Sequence, residues 1–234
     1  MGFQCRQFYI KDDQCAMKVS TDSLILGSYV PLEEVSSVLD MGTGSGLLAL
    51  MLAQRAPTAQ VDAFDADPQA VAQAQANVAA SPWPSRIKVE QACVSDWQGA
   101  YHYQRIVVNP PYFSGHLDSS SQQRQLARQG QVTPMAWLEC ALRNLALDGQ
   151  LYWVLPVSQT ELWGEIARGL GLKNCRTLQV KTTARKPVKL MIQGWQRGTP
   201  SEVVVEQLVI HAQGGDYSEA YRQLTGAFYL AGQY

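Results

Sequence analysis

The sequence predicts an α/β fold, in which helices cover both faces of a mostly parallel β-sheet. Short apolar segments alternate with longer helix-forming segments, which is the pattern of parallel strands joined by crossover helices. A length of 234 residues fits one large domain better than two. Hydrophobic residues make up 46% of the chain and charged residues 17%, so there is enough apolar material for a buried core.

The elements before residue 112 follow from local composition. A short β-like start at 8–10 and a segment at 17–26 come first. The predicted strands are 36–40, 61–64, 87–92 and 105–108, and the predicted helices are 47–55 and 69–80. Asp67 as N-cap and Pro68 at the first helical position predict the start of the second of these helices.

The second half of the chain opens with a polar stretch, 113–132, which is rich in Ser, Gln, Arg and Gly and predicts a loop. Helices are then predicted at 135–147, 161–170 and 217–230, and strands at 151–155, 173–181, 188–195 and 203–211. The turn at 185–187 joins two strands with no helix between them. We therefore expect an antiparallel hairpin at the edge of the parallel sheet.

Composition limits the setting in which the protein works. The 19 basic and 20 acidic residues give a formal net charge of −1, which neither indicates nor excludes nucleic-acid binding, because phosphate contacts need only a local basic face. The five cysteines include no C-x-x-C pair, which favours reduced thiols over disulfides or a zinc site. The longest apolar stretch, 47–53, is far below the ~20 residues of a membrane span. We expect a cytoplasmic protein with no membrane segment and no metal.

A glycine-rich segment, Asp40-Met41-Gly42-Thr43-Gly44-Ser45-Gly46, lies between a predicted strand and a predicted helix. Alternate glycines allow a sharp turn and remove the Cβ atoms that would block a ligand over the helix N-terminus. Leucine at position 47 excludes the G-x-G-x-x-G dinucleotide fingerprint. The pattern resembles motif I of class I methyltransferases, which bind S-adenosylmethionine, although the residues alone also fit an ordinary glycine-rich turn. The predicted cofactor contacts here are Asp40, Gly42, Thr43, Gly44 and Gly46.

Aspartates follow the next two predicted strands. Asp65 ends the second strand, where a carboxylate can accept hydrogen bonds from a ribose diol, and Ala66 lies beside it. Asp67 competes for this role, but it already caps the following helix, so Asp65 is favoured. By the same resemblance, Asp96 contacts the adenine of the cofactor. Each aspartate alone is also compatible with a plain turn residue.

The run Asn109-Pro110-Pro111-Tyr112 follows the fourth predicted strand. Two prolines fix the backbone as it leaves the sheet, and in-line methyl transfer depends on such positioning. The Asn109 amide oxygen and the Pro110 carbonyl can hold both N–H groups of a planar amine, and Tyr112 offers a face for stacking. The run is similar to motif IV of N6-adenine methyltransferases. We therefore assign Asn109, Pro110, Pro111 and Tyr112 to catalysis, with Asn109 also next to the cofactor.

Motif IV alone leaves the substrate open. The same asparagine form occurs in enzymes that methylate a glutamine in release factors and in some ribosomal RNA guanine-N2 methyltransferases. A module that binds cofactor and RNA without catalysis is another alternative. The release-factor enzymes carry a helical domain before motif I, which begins here at residue 38, and the DNA enzymes carry a target-recognition insert for which this chain has no long enough stretch. These differences favour an RNA substrate.

The segment 15–27, CAMKVSTDSLILG, resembles the opening of bacterial tRNA1(Val) (adenine(37)-N6)-methyltransferases. The C-terminal segment 217–230 is similar to the closing helix of that family, so the resemblance covers nearly the whole chain. Ser20 stands where the family usually has glycine, and Gln104 where it commonly has aspartate. The resemblance implies methylation of the N6 atom of adenine 37 in the anticodon loop of a valine tRNA.

The resemblance also implies a fold, partners and further site residues. The fold is a Rossmann-like three-layer sandwich with a mostly parallel seven-stranded sheet and an antiparallel edge hairpin. One domain spans 1–234, with a preface at 1–35 and a catalytic core at 36–234, and the protein is expected to be a monomer. Thr21 and Asp22 would lie near the methionine end of the cofactor, with helix capping as the alternative. The candidates for RNA phosphates, or else for plain surface solvation, are Arg124, Arg128, Arg185, Lys186 and Lys189.

Overall fold

The computed structural model describes residues 2–15, 17–111 and 132–230. The elements up to residue 111 are β1 (Gly2–Gln4), β2 (Tyr9–Lys11), α1 (Thr21–Tyr29), β3 (Ser37–Met41), α2 (Leu47–Arg55), β4 (Gln60–Asp65), α3 (Pro68–Ala79), β5 (Ile87–Gln91) and β6 (Tyr103–Val108). From residue 132 onward they are α4 (Pro134–Asn144), β7 (Leu145–Pro156), α5 (Val157–Gly169), β8 (Leu172–Thr183), β9 (Val188–Arg197), β10 (Val204–His211) and α6 (Glu219–Thr225).

The main sheet has the strand order β10-β8-β9-β7-β6-β3-β4-β5. All neighbouring strands are parallel except β9, which runs antiparallel to both β7 and β8. The α/β class with a mostly parallel sheet is therefore confirmed. The two finer expectations are wrong. The described sheet has eight strands instead of seven, and the β8–β9 hairpin is not at the edge because β10 pairs parallel to β8 outside it. The strand predicted at 203–211 is β10, and its pairing outside the hairpin buries Leu208 and Ile210.

Helices pack on both faces of the sheet, as the strand composition requires. Along β6, Ile106 and Val108 belong to one buried cluster, whereas Val107 belongs to the other. Strands that are buried on both faces are continuously apolar, as in parallel sheets generally. The first cluster includes residues of α4 and α5, and the second includes residues of α1, α2, α3 and α6. The sheet is thus the middle layer of a three-layer sandwich.

Two predicted helices are shorter than expected. The helix expected at 135–147 ends at Asn144 because β7 already begins at Leu145. The closing helix, expected at 217–230, is limited to α6. It starts after Ser218, whose Oγ accepts a hydrogen bond from the Tyr221 backbone N–H, and Gly226 follows its last residue. The predicted start of α3 is confirmed, since Asp67 Oδ1 accepts from the Gln69 backbone N–H at 2.9 Å.

The preface packs against the rest of the sandwich through Asn77 of α3. Its side chain accepts from the backbone N–H of Lys11 at 3.1 Å and donates to the Lys11 carbonyl at 2.8 Å. The same amide group also donates to the carbonyl of Ser45, at 2.8 Å, in the glycine-rich segment. Asn77 is 4% exposed. One buried side chain therefore connects the preface, α3 and the glycine-rich segment.

Replacement of Asn77 with alanine is expected to lower the free energy of unfolding by roughly 2–3 kcal/mol, because buried backbone groups lose their partners. The measurement is urea unfolding, with amide hydrogen exchange of Lys11 as a local readout. Gln75→Ala is the matched control, since Gln75 lies on the same helix and bonds only to the Val89 carbonyl in the described contacts. Equal destabilisation by the two substitutions would contradict this role for Asn77.

Candidate active site

A cavity of about 260 Å³ opens where β3, β4 and β6 end. In a parallel sheet the carboxyl ends of neighbouring strands lie along one edge, which is where α/β proteins bind their ligands. The walls of the cavity come from the glycine-rich segment, the residues after β4 and β5, and the end of β6. They also include Val132, Trp137 and the preface residues Cys15, Met17, Lys18, Val19 and Ser23. The sequence had placed its candidate residues on these same strand ends.

The glycine-rich segment adopts a backbone that favours glycine. Gly42, Gly44 and Gly46 have φ angles of 71°, 54° and 84°, in the left-handed region that costs other residues about 1–2 kcal/mol. Gly42 and Gly44 line the cavity, and so does Thr43. Gly46 does not. It precedes α2, where a Cβ would lie 3.3 Å from the Cβ of Ala74 on α3, so this glycine permits close packing between helices.

Asp40 lies beneath the glycine-rich segment and is fully buried, outside the lining of the cavity. Its Oδ2 accepts from the Thr43 hydroxyl at 2.6 Å and from the Ala49 backbone N–H at 3.1 Å. Its Oδ1 has no partner among the described residues. Burial raises the pKa of Asp40 to about 7, against the lowering effect of those two hydrogen bonds. The side chain therefore holds the loop in shape from behind.

Asp65 lies on the wall of the cavity, together with Ala66 and Asp67. Its Oδ2 accepts from the Gly44 backbone N–H at 2.9 Å, and its Oδ1 accepts from the Asp67 backbone N–H at 3.0 Å. A carboxylate has about four lone-pair positions, so each oxygen keeps capacity for a hydroxyl donor. Asp65 thus connects the ends of β3 and β4 and remains suited to a ribose diol.

Besides Asp40 and Gly46, three other predicted cofactor residues do not line the cavity. Asp96 is exposed in the turn after β5, and Ala92 and Val94 contribute to the wall instead. Thr21 and Asp22 begin α1, and the next residue, Ser23, lines the cavity. Ser20 is the N-cap of that helix, so the serine that departs from the family pattern has a definite structural role. Contacts of Thr21, Asp22 and Asp96 with a cofactor stay predictions.

Asn109 directly follows β6 and is 8% exposed. Its Nδ2 donates to the Ser23 hydroxyl at 2.8 Å and lies 3.6 Å from the sulfur of Met17. Its Oδ1 is buried and has no hydrogen-bond partner among the described residues. Pro111 lines the cavity as well, whereas Tyr112 lies outside the described residues. An unpaired buried acceptor costs about 1–3 kcal/mol, so the wall of this cavity offers a site for an N–H donor.

Arg185, Lys186 and Lys189 are exposed in and just after the turn between β8 and β9. Because β9 is antiparallel to β7, with Leu190 opposite Pro156, this turn lies at the same edge of the sheet as the cavity. The turn is two and a half strand spacings from β6, a distance of about 12 Å. Arg124 and Arg128 lie outside the described residues.

Among the described residues, no three His, Cys, Asp or Glu side chains are grouped closely enough to hold a metal ion. Within the same ranges, none of the helices is both long enough and apolar enough to cross a membrane.

The fold and the cavity define the class of protein. The model of the methyltransferase small domain family matches residues 15–157. A solved structure described as a predicted O-methyltransferase from Agrobacterium tumefaciens superposes with a TM-score of 0.70, at 18% identity, covering 88% of this chain and 96% of that one. A TehB-like SAM-dependent methyltransferase from Corynebacterium glutamicum gives 0.52, at 16% identity, covering 78% and 90%. The protein is a class I S-adenosylmethionine-dependent methyltransferase.

Similarity to curated proteins then identifies the family. A tRNA1(Val) (adenine(37)-N6)-methyltransferase from Klebsiella pneumoniae (strain 342) is 40% identical over 234 residues, covering 98% of this chain and 95% of its own. The protein of that name from Tolumonas auensis is 42% identical over 231 residues, covering 98% and 97%. This chain belongs to the tRNA1(Val) (adenine(37)-N6)-methyltransferase family, which confirms the resemblance seen in its sequence.

The residues of the cavity fit S-adenosylmethionine. When bound, this cofactor supplies an electrophilic methyl group on a sulfonium. Glycines at 42 and 44 leave the backbone accessible, and a Cβ at Gly44 would meet no atom of the described residues within 4 Å. Asp65 offers carboxylate oxygens to a ribose, and Ala92 and Val94 offer apolar surface to a planar base. Sequence reasoning missed Ala92, Val94 and Trp137 because apolar residues carry no local signal of a ligand.

Asp40→Asn tests the buried carboxyl. The folded-state pKa of about 7 lies above the ordinary 3.8, so Asp40 contributes stability that is complete below about pH 4 and is lost as the pH rises to 7. The asparagine side chain does not titrate, so the variant lacks this dependence of stability on pH. The difference in unfolding free energy, variant minus wild type, should therefore increase by on the order of 2 kcal/mol between pH 5 and pH 7.5 in urea titrations. A difference that stays constant with pH would show that Asp40 is ionised throughout.

Proposed function

We propose that this protein transfers a methyl group from S-adenosylmethionine to the exocyclic N6 of an adenine in tRNA, at position 37 in the anticodon loop of a valine tRNA. The observation that carries the proposal is the buried Oδ1 of Asn109 on the wall of the cavity, which has no hydrogen-bond partner among the residues that the structure describes. The names of the relatives from Klebsiella pneumoniae and Tolumonas auensis support the choice of tRNA and of adenine 37.

The chemistry follows from hydrogen bonding to the acceptor amine. The Oδ1 atom of Asn109 accepts one N–H of the adenine amine, and the Pro110 carbonyl accepts the other. Two such bonds draw the nitrogen lone pair out of conjugation with the ring and aim it at the methyl group. The proton can leave after the methyl has arrived, so the step does not require a strong base. Tyr112 provides a stacking face, worth roughly 1–3 kcal/mol for a base.

The cofactor is proposed to lie along the glycine-rich segment. The backbone at Gly42, Thr43 and Gly44 contacts its amino-acid part, and the carboxylate of Asp65 accepts from its ribose hydroxyls. Asp40 and Gly46 act indirectly, through the shape of the loop and its packing on α3. This division follows from which of these residues line the cavity.

The anticodon loop is proposed to reach the cavity as single-stranded RNA. An unpaired loop base leaves its stack at a cost of about a few kcal/mol, less than a paired one. Lys189 and its neighbours in the β8–β9 turn would contact backbone phosphates, and the proposal extends to Arg124 and Arg128. We further propose that the protein acts as a monomer in the cytoplasm, where tRNA is modified.

Asn109→Ala should lower kcat for tRNA methylation at least 100-fold, because the acceptor for the amine hydrogen is lost, while the Kd for S-adenosylmethionine changes less than threefold. Calorimetry measures the cofactor affinity, and nucleoside mass spectrometry of valine tRNA measures N6-methyladenosine. Retained transfer by the variant would exclude this role for Asn109. Methylation by the wild type of a release-factor glutamine or of guanine N2, but not of tRNA adenine, would favour the rival enzymes.

Lys189→Glu should weaken tRNA binding about tenfold at 0.1 M salt and reduce the dependence of log K on log salt, because a phosphate contact is replaced by repulsion. Lys173→Glu is the matched control. Lys173 is an exposed lysine at the start of β8, paired with Gln196, and therefore lies at the opposite edge of the sheet. The tRNA affinities of the two variants are compared by filter binding with the same tRNA. Equal weakening by both substitutions would indicate an effect of net charge alone.

A further inference from the structure

The amide group of Asn109 is held from its nitrogen side. The Nδ2 atom lies 2.8 Å from the Ser23 hydroxyl oxygen and 3.6 Å from the Met17 sulfur. An amide nitrogen only donates, and a thioether sulfur only accepts. The opposite orientation of the amide would direct its oxygen at the lone pairs of the sulfur. The two contacts therefore use both hydrogens of Nδ2 and leave Oδ1 as the atom directed elsewhere.

Ser23 is fixed in place by the start of α1. Its backbone N–H donates to the hydroxyl of the N-cap residue, Ser20, at 3.3 Å, and the two hydroxyl oxygens are 3.4 Å apart. Ser23 is 8% exposed and lines the cavity. Since its oxygen accepts from Asn109, its own hydrogen is free to turn toward Ser20. A residue of the preface thus contacts a residue 86 positions later in the chain.

We propose that Ser23 is a positioning residue that orients the amide of Asn109 so that Oδ1, and not the NH2 group, meets the acceptor nitrogen of the substrate. The inference rests on the proposed function. Without the Ser23 hydroxyl, Nδ2 keeps only the longer contact with the Met17 sulfur among the described residues, and the amide can rotate about its last side-chain bond. In the rotated state the NH2 group of Asn109 faces an N–H of the substrate amine. Two donors cannot form a hydrogen bond, so the rotated amide does not hold the substrate.

The structure offers a matched control on the same helix. Ser28 also lies in α1 and is 6% exposed, and its hydroxyl has no hydrogen-bond partner within the described part of the chain. Replacement of Ser23 or of Ser28 with alanine removes the same atom from a similar degree of burial. Only the first substitution removes a contact with Asn109.

The experiment measures kcat, KM for tRNA, Kd for S-adenosylmethionine and the melting temperature of each variant. Ser23→Ala should lower kcat about tenfold or more, with the cofactor Kd and the KM for tRNA within threefold of wild type. Ser28→Ala should leave kcat within twofold. Ser23→Thr keeps the hydroxyl and should recover most of the lost rate. It also keeps the test decisive if Ser23→Ala folds poorly.

The inference is overturned if Ser23→Ala has a kcat within twofold of wild type, if Ser28→Ala loses as much activity, or if Ser23→Thr, while folded, is as slow as the alanine variant. Failure of the proposed function gives a different result, in which the wild type forms no N6-methyladenosine in tRNA.

Discussion

The site depends on the parallel pairing of β3 with β4 and β6. Met41 is in register with Phe64 on one side and with Val108 on the other. The residues that follow these three positions are Gly42, Asp65 and Asn109, so they lie at the same height where the strands end. Segments that are more than 60 positions apart in the sequence thereby form one wall. A shift of one residue in the pairing of β4 or of β6 with β3 would turn the side chain of Asp65 or of Asn109, respectively, to the opposite face.

Polar groups buried behind this wall keep it in one shape. Asp40 holds Thr43 and the start of α2, Asn77 holds the preface against Ser45, and Ser23 holds Asn109. Buried polar groups are tolerated when they are hydrogen-bonded, and they then define geometry more narrowly than apolar contacts do. Asp40 and Asn109 each leave one oxygen without a hydrogen-bond partner in the described part of the chain. The two residues differ in how this oxygen can be satisfied. Asp40 can take up a proton, as its raised pKa indicates. The Asn109 amide cannot, so its oxygen needs a hydrogen-bond donor from a ligand.

Local patterns in the sequence predicted the parts of the site that depend on the backbone. The glycines at 42, 44 and 46 permit the positive φ angles of the loop, and the prolines at 110 and 111 fix φ, and both effects can be read from residue type alone. The partnership of Ser23 with Asn109 could not be predicted, because it requires α1 to pack beside the end of β6. The strand at 203–211 was predicted, but its pairing with β8 outside the hairpin was not, and the length of α6 was overestimated, for a related reason. An edge strand and a helix end are decided by packing and capping, which a periodic pattern does not contain.

The antiparallel direction of β9 determines where a group of basic residues lies relative to the cavity. If all strands ran parallel, every connection from one strand to the next would cross a face of the sheet, and no tight turn would lie at the cavity edge. Because β9 is antiparallel, the chain turns directly from β8 into β9 at that edge and places Arg185, Lys186 and Lys189 there. A protein with a formal net charge of −1 can therefore present a locally positive surface beside its cavity. Since the phosphates of RNA are attracted by local potential and not by total charge, near-neutral composition and an RNA substrate are compatible.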